Sequence, residues 1–177
     1  MSKDLRYPLI LGIHPTARGF GWAAFSDPFT VHDSGAYSVR TNKSALCLKK
    51  LERLLKRHTP EVLVLEAFDT QSSVRSERIR KLCLRMVSLG ADYGAEVRVY
   101  RRGEVRDAFQ VVEARTRDEI AEAVARHVIG LAPYLPKKRQ IWDGEDRRLS
   151  RFCAAALVLT YYHFEATQFL DDLRKTG

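Results

Sequence analysis

The stretch from Leu9 to Phe25, LILGIHPTARGFGWAAF, constrains the fold more than any other part of the chain. An apolar run, Leu9 to Ile13, ends on one polar residue, His14, and a second apolar run, Phe20 to Phe25, begins after a turn. Pro15 and Gly19 punctuate that turn, which is too short to hold a crossover helix, so the two runs are expected to pair as an antiparallel hairpin. A polar side chain closing a buried strand points at whatever the end of the sheet builds. Glu66 closes another apolar run, Val62 to Leu65, in the same way. Two strands that each end on one polar residue suggest a shared site.

The rest of the chain fits one core. With 177 residues, 45% of them hydrophobic, a single domain over 1–177 is the expectation, and no second composition regime interrupts it. The first residues, MSKDLRYP, lack an apolar signal core, and no apolar run approaches the ~18 residues of a membrane span. A soluble, cytoplasmic protein is expected. Cys47, Cys83 and Cys153 fall in amphipathic patterns without CxxC spacing, which argues against a disulfide framework or a zinc ribbon and suits a reduced cytosol. A formal net charge of +8 favours a polyanionic partner, since lysines and arginines gain affinity by releasing phosphate counterions. Surface charge serving solubility is the plainer alternative.

In chain order, Val31 to Val39 alternates and supplies a third strand, and Leu48, Leu51, Leu54 and Leu55 give Asn42 to His58 a helical period. Val62 to Leu65 is continuously apolar, as a central strand buried on both faces is, and runs parallel to the first strand through the preceding helix. A long helix is expected over Ser72 to Gly94, a fifth strand over Glu96 to Tyr100, a short helix over Glu104 to Phe109 and a further helix over Thr116 to Leu131. A connector, Pro133 to Gly144, leads to a last helix starting at Glu145 or Asp146 and ending near Leu173. The sum is an α/β fold, a mixed sheet flanked by helices.

This order of elements and the residues within it resemble the RuvC-like Holliday junction resolvases of the ribonuclease H-like superfamily. GIHPTARGFGWAAF resembles that family's opening hairpin, VLVLEAF its fourth strand, EVRVYRRGEVRDAF its fifth strand and the helix after it, and WDGEDRRLSRFCAAALVLTYYH its final helix. The resemblance implies a five-stranded mixed sheet, three strands antiparallel and then two parallel. It also implies a site in which carboxylates of the first strand, the fourth strand and the last helix hold two magnesium ions, one activating water and the other stabilising the leaving oxygen.

The matching positions here read His14, Glu66 and Cys153, and only Glu66 keeps the family's residue type. Imidazole and thiol are poor ligands for magnesium, a hard ion that prefers oxygen. Asp146 lies at i relative to Ser150 (i+4) and Cys153 (i+7), so a helix that includes all three offers Asp146 as a substitute carboxylate beside Glu66 and His14. Its plainer use is as an acid at a helix N-terminus. Asp69 is a weaker candidate. Zinc would accept a nitrogen, oxygen and sulfur set, although chance substitution at a decayed site is the simpler account. Singly, His14 reads as a strand-end histidine bonded to backbone and Cys153 as a small core residue.

Phosphate binding depends on spread cations and not on a metal cluster. Arg18, Arg75, Arg78, Arg101, Arg102, Lys137, Lys138 and Arg139 are the candidate nucleic-acid contacts, each of them otherwise an ordinary solvated charge. The leading expectation is a binder of branched or junction DNA whose endonuclease activity is weakened or lost. The alternatives are an active endonuclease using Glu66, Asp146 and His14 with magnesium or manganese, and a non-catalytic scaffold in which Tyr161, Tyr162 and Phe164 form a dimer face. The resemblance implies a homodimer suited to a two-fold junction. An actin-like phosphotransferase is discounted, because the chain is short for two such domains and lacks a P-loop.

Overall fold

The computed structural model describes residues 8–67, 77–138 and 147–176. Five strands form one sheet: β1 (Ile10–Pro15), β2 (Gly19–Asp27), β3 (Thr30–Ser38), β4 (Val62–Glu66) and β5 (Glu96–Tyr100), in the spatial order β3-β2-β1-β4-β5. The first three pair antiparallel, with Ile13 opposite Trp22 and Trp22 opposite Gly35. β4 then adds parallel to β1, with Ile13 beside Leu65, and β5 parallel to β4, with Glu66 beside Tyr100. This is the three-antiparallel, two-parallel sheet that the sequence implies.

Period-two alternation divides the strands between two cores. Leu11, Ile13, Leu63 and Leu65 face one side, against α1 (Lys43–His58) and α2 (Glu77–Asp92), where Leu51, Leu55, Leu82 and Met86 are fully buried. Ile10, Val62 and Val64 face the other, against α4 (Arg117–His127) and α5 (Leu149–Thr176), where Val124, Phe152 and Ala155 are buried. A central strand covered on both faces explains the unbroken apolar run of β4. The shorter α3 (Arg102–Phe109) follows β5 and joins the second core through Ala108 and Phe109.

Local signals fix the ends. Three basic residues, Lys56, Arg57 and His58, occupy the last turn of α1, where the helix dipole favours them, and His58 Nε2 lies 2.8 Å from Asp33 Oδ2 of β3. In α4 the Thr116 hydroxyl accepts from the Glu119 N–H, and the Glu119 carboxylate accepts from the N–H groups of Thr116 and Arg115.

Three of the boundaries that differ from expectation have a local cause. α4 stops at His127, because Val128 is extended (φ −112°, ψ 90°) and redirects the chain into a 3-10 turn, Ile129–Tyr134, that buries Leu131. α3 begins two residues early, because Glu104 reaches back 2.6 Å to the Arg101 N–H and closes the first turn. α5 begins at Leu149 and not at Glu145 or Asp146: Arg147 and Arg148 form a turn, in which the Arg147 carbonyl accepts from both the Ser150 hydroxyl and the Ser150 N–H. The expected first residues of α2 fall outside the described residues. No helix among the described residues is long and apolar enough to cross a membrane.

Candidate functional site at the strand ends

α5 approaches the sheet more closely than ordinary side chains allow. A Cβ added at Gly12 would lie 2.3 Å from the Ala154 carbonyl oxygen, and one at Gly21 would lie 2.2 Å from the Ser150 carbonyl carbon. Two glycines on adjacent strands therefore seat the first turns of α5 on β1 and β2, because only hydrogen fits between backbones at that separation. His14 follows Gly12 by two residues and so faces the same side. Glu66 follows Val64 by two and does likewise.

The side chains meet. His14 Nδ1 stands 3.2 Å from Glu66 Oε2, with His14 only 4% exposed and the Glu66 side chain 13%. Cys153, one residue before the Ala154 carbonyl that faces Gly12, lines the same cavity. The three positions marked in the sequence thus converge from β1, β4 and α5.

That cavity, about 50 Å³, has a second set of walls that sequence reasoning largely missed. Val105, Ile120, Phe152, Ala156 and Leu157 supply apolar surface, and Arg102, Arg106, Arg115 and Arg117 supply charge. Of the expected basic contacts among the described residues, only Arg102 lines it. The signal for the others is local. Arg102 and Arg106 are four apart on α3 and share a face. Arg115 and Arg117 flank the extended N-cap Thr116 (φ −89°, ψ 163°), so both project to one side.

The remaining candidates are dispersed. Arg18 is exposed on the turn after β1, and Arg78 donates 2.7 Å to the Ala17 carbonyl, which tethers α2 to that turn. Arg101 is the exposed N-cap of α3, and Lys137 and Lys138 are exposed after the 3-10 turn, away from the cavity walls. Arg75, Arg139, Asp146 and Asp69 lie outside the described residues. Tyr161, Tyr162 and Phe164 are not an open dimer face: all three pack against the α4–α5 core, and Phe164 stacks on Tyr100 with centroids 5.5 Å apart. Burial raises the Tyr100 phenol to about 12. The exposed apolar side chains of α5 are instead Phe169, Leu170 and Leu173, beyond the edge of the core.

The donor set that the described residues supply does not fit a pair of magnesium ions. Glu66 is the one carboxylate among the described residues lining the cavity, it is engaged by His14, and four arginines share the lining with it. Each guanidinium repels a cation and offers it no lone pair. Among the described residues no three His, Cys, Asp or Glu side chains gather as a metal site.

Sheet order, strand directions and the helix packed across β1 define a ribonuclease H-like α/β fold of the kind built by Holliday junction resolvases. Three solved structures show the likeness in detail. Thermus thermophilus RuvC aligns with a TM-score of 0.67 at 14% identity, over 90% of this chain and 96% of that one, and its complex with a Holliday junction substrate aligns at 0.66 and 15% over the same shares. The yeast mitochondrial Holliday junction resolvase aligns at 0.62 and 10% identity, over 98% of this chain and 89% of that one. No family model and no curated protein matches the sequence.

Proposed function

We propose that this protein binds branched DNA, four-way junctions above all, on the strand-end edge of a nuclease fold, with metal-dependent endonuclease activity weakened or lost. The observation that carries the reading is the composition of the cavity: a histidine–glutamate pair and four arginines where a nuclease of this fold would gather carboxylates. Arg18 and Arg78 extend the positive edge along the hairpin turn, and the net charge of +8 suits a phosphate backbone. The solved neighbours include a resolvase bound to its Holliday junction substrate. A homodimer would match the two-fold symmetry of such a junction, and a reducing cytoplasm accords with three cysteines that form no disulfide.

The test is binding and cleavage of a labelled four-way junction beside a linear duplex of the same sequence, with magnesium, then manganese, then zinc. Junction binding tighter than duplex binding, falling steeply with salt and without strand scission, is expected. Scission that disappears in Glu66→Ala would replace this reading with that of an active endonuclease. Failure to bind either DNA would leave only the scaffold.

A further inference from the structure

The cavity is more specific than a basic patch. We propose that it binds a phosphate monoester dianion, held by Arg102, Arg106, Arg115 and Arg117, in the place that the fold otherwise gives to divalent ions. The inference rests on the cavity being the functional site and not on a preference for junctions.

Three observations carry it. The first is charge: among the described residues lining the cavity, four arginines stand against the single carboxylate of Glu66. A phosphate monoester, which carries about −1.5 to −2 near neutral pH, matches that surplus better than the single charge of a backbone diester. The second is geometry. The lining arginines come from two elements, α3 and the N-terminal end of α4, so an anion between them has planar forks to accept from on more than one wall.

The third is size. A cavity of about 50 Å³ offers several times the roughly 10–15 Å³ that one water needs on the same measure, which leaves room for one tetrahedral oxyanion. Phe152, Ala156 and Leu157, all buried, share the lining, so apolar atoms form part of the wall against which an anion would sit. Arg102, Arg106 and Arg115 are themselves exposed and can close on the anion without unfolding anything.

The experiment titrates the full chain, by calorimetry in a chelating buffer at fixed ionic strength, with inorganic phosphate, a deoxynucleoside 5′-monophosphate and the matching unphosphorylated deoxynucleoside. The monophosphate and inorganic phosphate are expected to bind and the deoxynucleoside not. Arg106→Ala and Arg115→Ala should each weaken binding about tenfold. Arg106→Lys and Arg115→Lys should recover part of the loss, and unchanged melting curves would show that all four variants fold. A pair of short single-stranded oligonucleotides, with and without a 5′-phosphate, separates the sources. Tighter binding of the phosphorylated strand assigns the pocket to DNA ends, and equal binding of the two assigns it to free nucleotide or phosphate.

No binding of the monophosphate, equal binding by the alanine variants, or binding that appears only with magnesium would overturn the proposal. Junction binding that survives in Arg106→Ala/Arg115→Ala while the monophosphate fails in the parent refutes the pocket and spares the junction reading. The reverse pattern refutes the junction reading and spares the pocket.

Discussion

Replacing Gly12 by alanine should destabilise the protein by about 3 kcal/mol. The added Cβ would stand 2.3 Å from the Ala154 carbonyl oxygen and 2.7 Å from Val158 Cγ2. Ordinary heavy-atom contact is about 3.5 Å, so α5 must retreat by roughly 1 Å, and a gap of that size forfeits a quarter to a half of each contact's attraction along its buried face. The obstacle is backbone at the centre of the sheet and not the mobile tip of a side chain, which places the cost at the upper end of the overpacking range, about 1–3 kcal/mol. For a chain of this length each kcal/mol lowers Tm by about 2–4 °C, so a fall of roughly 6–12 °C is expected in a circular dichroism melt. Gly103→Ala is the control. Nothing lies within 4 Å of a Cβ there, so relief of glycine's entropy in α3 should stabilise by about 0.5 kcal/mol. A Gly12→Ala protein melting within about 2 °C of the parent would refute the close approach of α5 to β1, and with it the convergence of Cys153 on His14 and Glu66.

Other perturbations read the site itself. His14→Asp puts a second carboxylate beside Glu66 and should give the protein a manganese- or magnesium-dependent rise in stability of about 1–3 kcal/mol at saturating ion, followed by thermal shift. A variant that ignores both ions would show that the imidazole is not what unsuits the donor set. Glu66→Gln keeps an acceptor for His14 but removes the charge, and a loss of about 1–3 kcal/mol in urea unfolding is expected because His14 is buried. Alkaline stability reports Tyr100: its folded pKa is raised from 10.0 to about 12 by burial. Stability is therefore fully present below about pH 10 and is lost as pH rises through 12, by on the order of 2 kcal/mol, since the unfolded phenol ionises first. Tyr100→Phe should flatten that slope, and an unchanged slope would mean the phenol ionises without cost.

The sheet was legible because its signals are local. An apolar run ending on His14, a two-faced run ending on Glu66 and helical leucines in α1 follow from periodicities that the backbone enforces. The site's arginines were harder to read, because their convergence is tertiary. Arg106 and Arg115 are nine positions apart and line one cavity because Ala108 and Phe109 pack α3 into the α4–α5 core while Glu119 caps α4. The start of α5 was misplaced for a similar reason. A stretch rich in charge continues a helical pattern on paper, yet Ser150 bonds back to the Arg147 carbonyl and makes a turn. Tyr161 and Tyr162 read as a docking face only while the partner surface, which their own core supplies, was unknown.

The fold and the chemistry of this site are specified by different residues. Gly12 and Gly21 place α5, and alternation along β1 and β4 aims positions 14 and 66 at it; none of this depends on what those positions carry. A carboxylate at each of 14, 66 and 153 would make the cavity a trap for cations. With an imidazole and a thiol at two of them, the described lining carries Arg102, Arg106, Arg115 and Arg117 against the carboxylate of Glu66, the balance on which the phosphate proposal stands. The fold accommodates these residue types, because His14 pairs with the Glu66 carboxylate and Cys153 borders Phe152 and Ala154, which are fully buried. If the cavity binds phosphate as proposed, the residue types at positions 14 and 153 help decide which sign of ion it prefers. His14→Asp combined with Cys153→Asp should reverse the preference, with phosphate binding weakened and metal binding gained in the same titration.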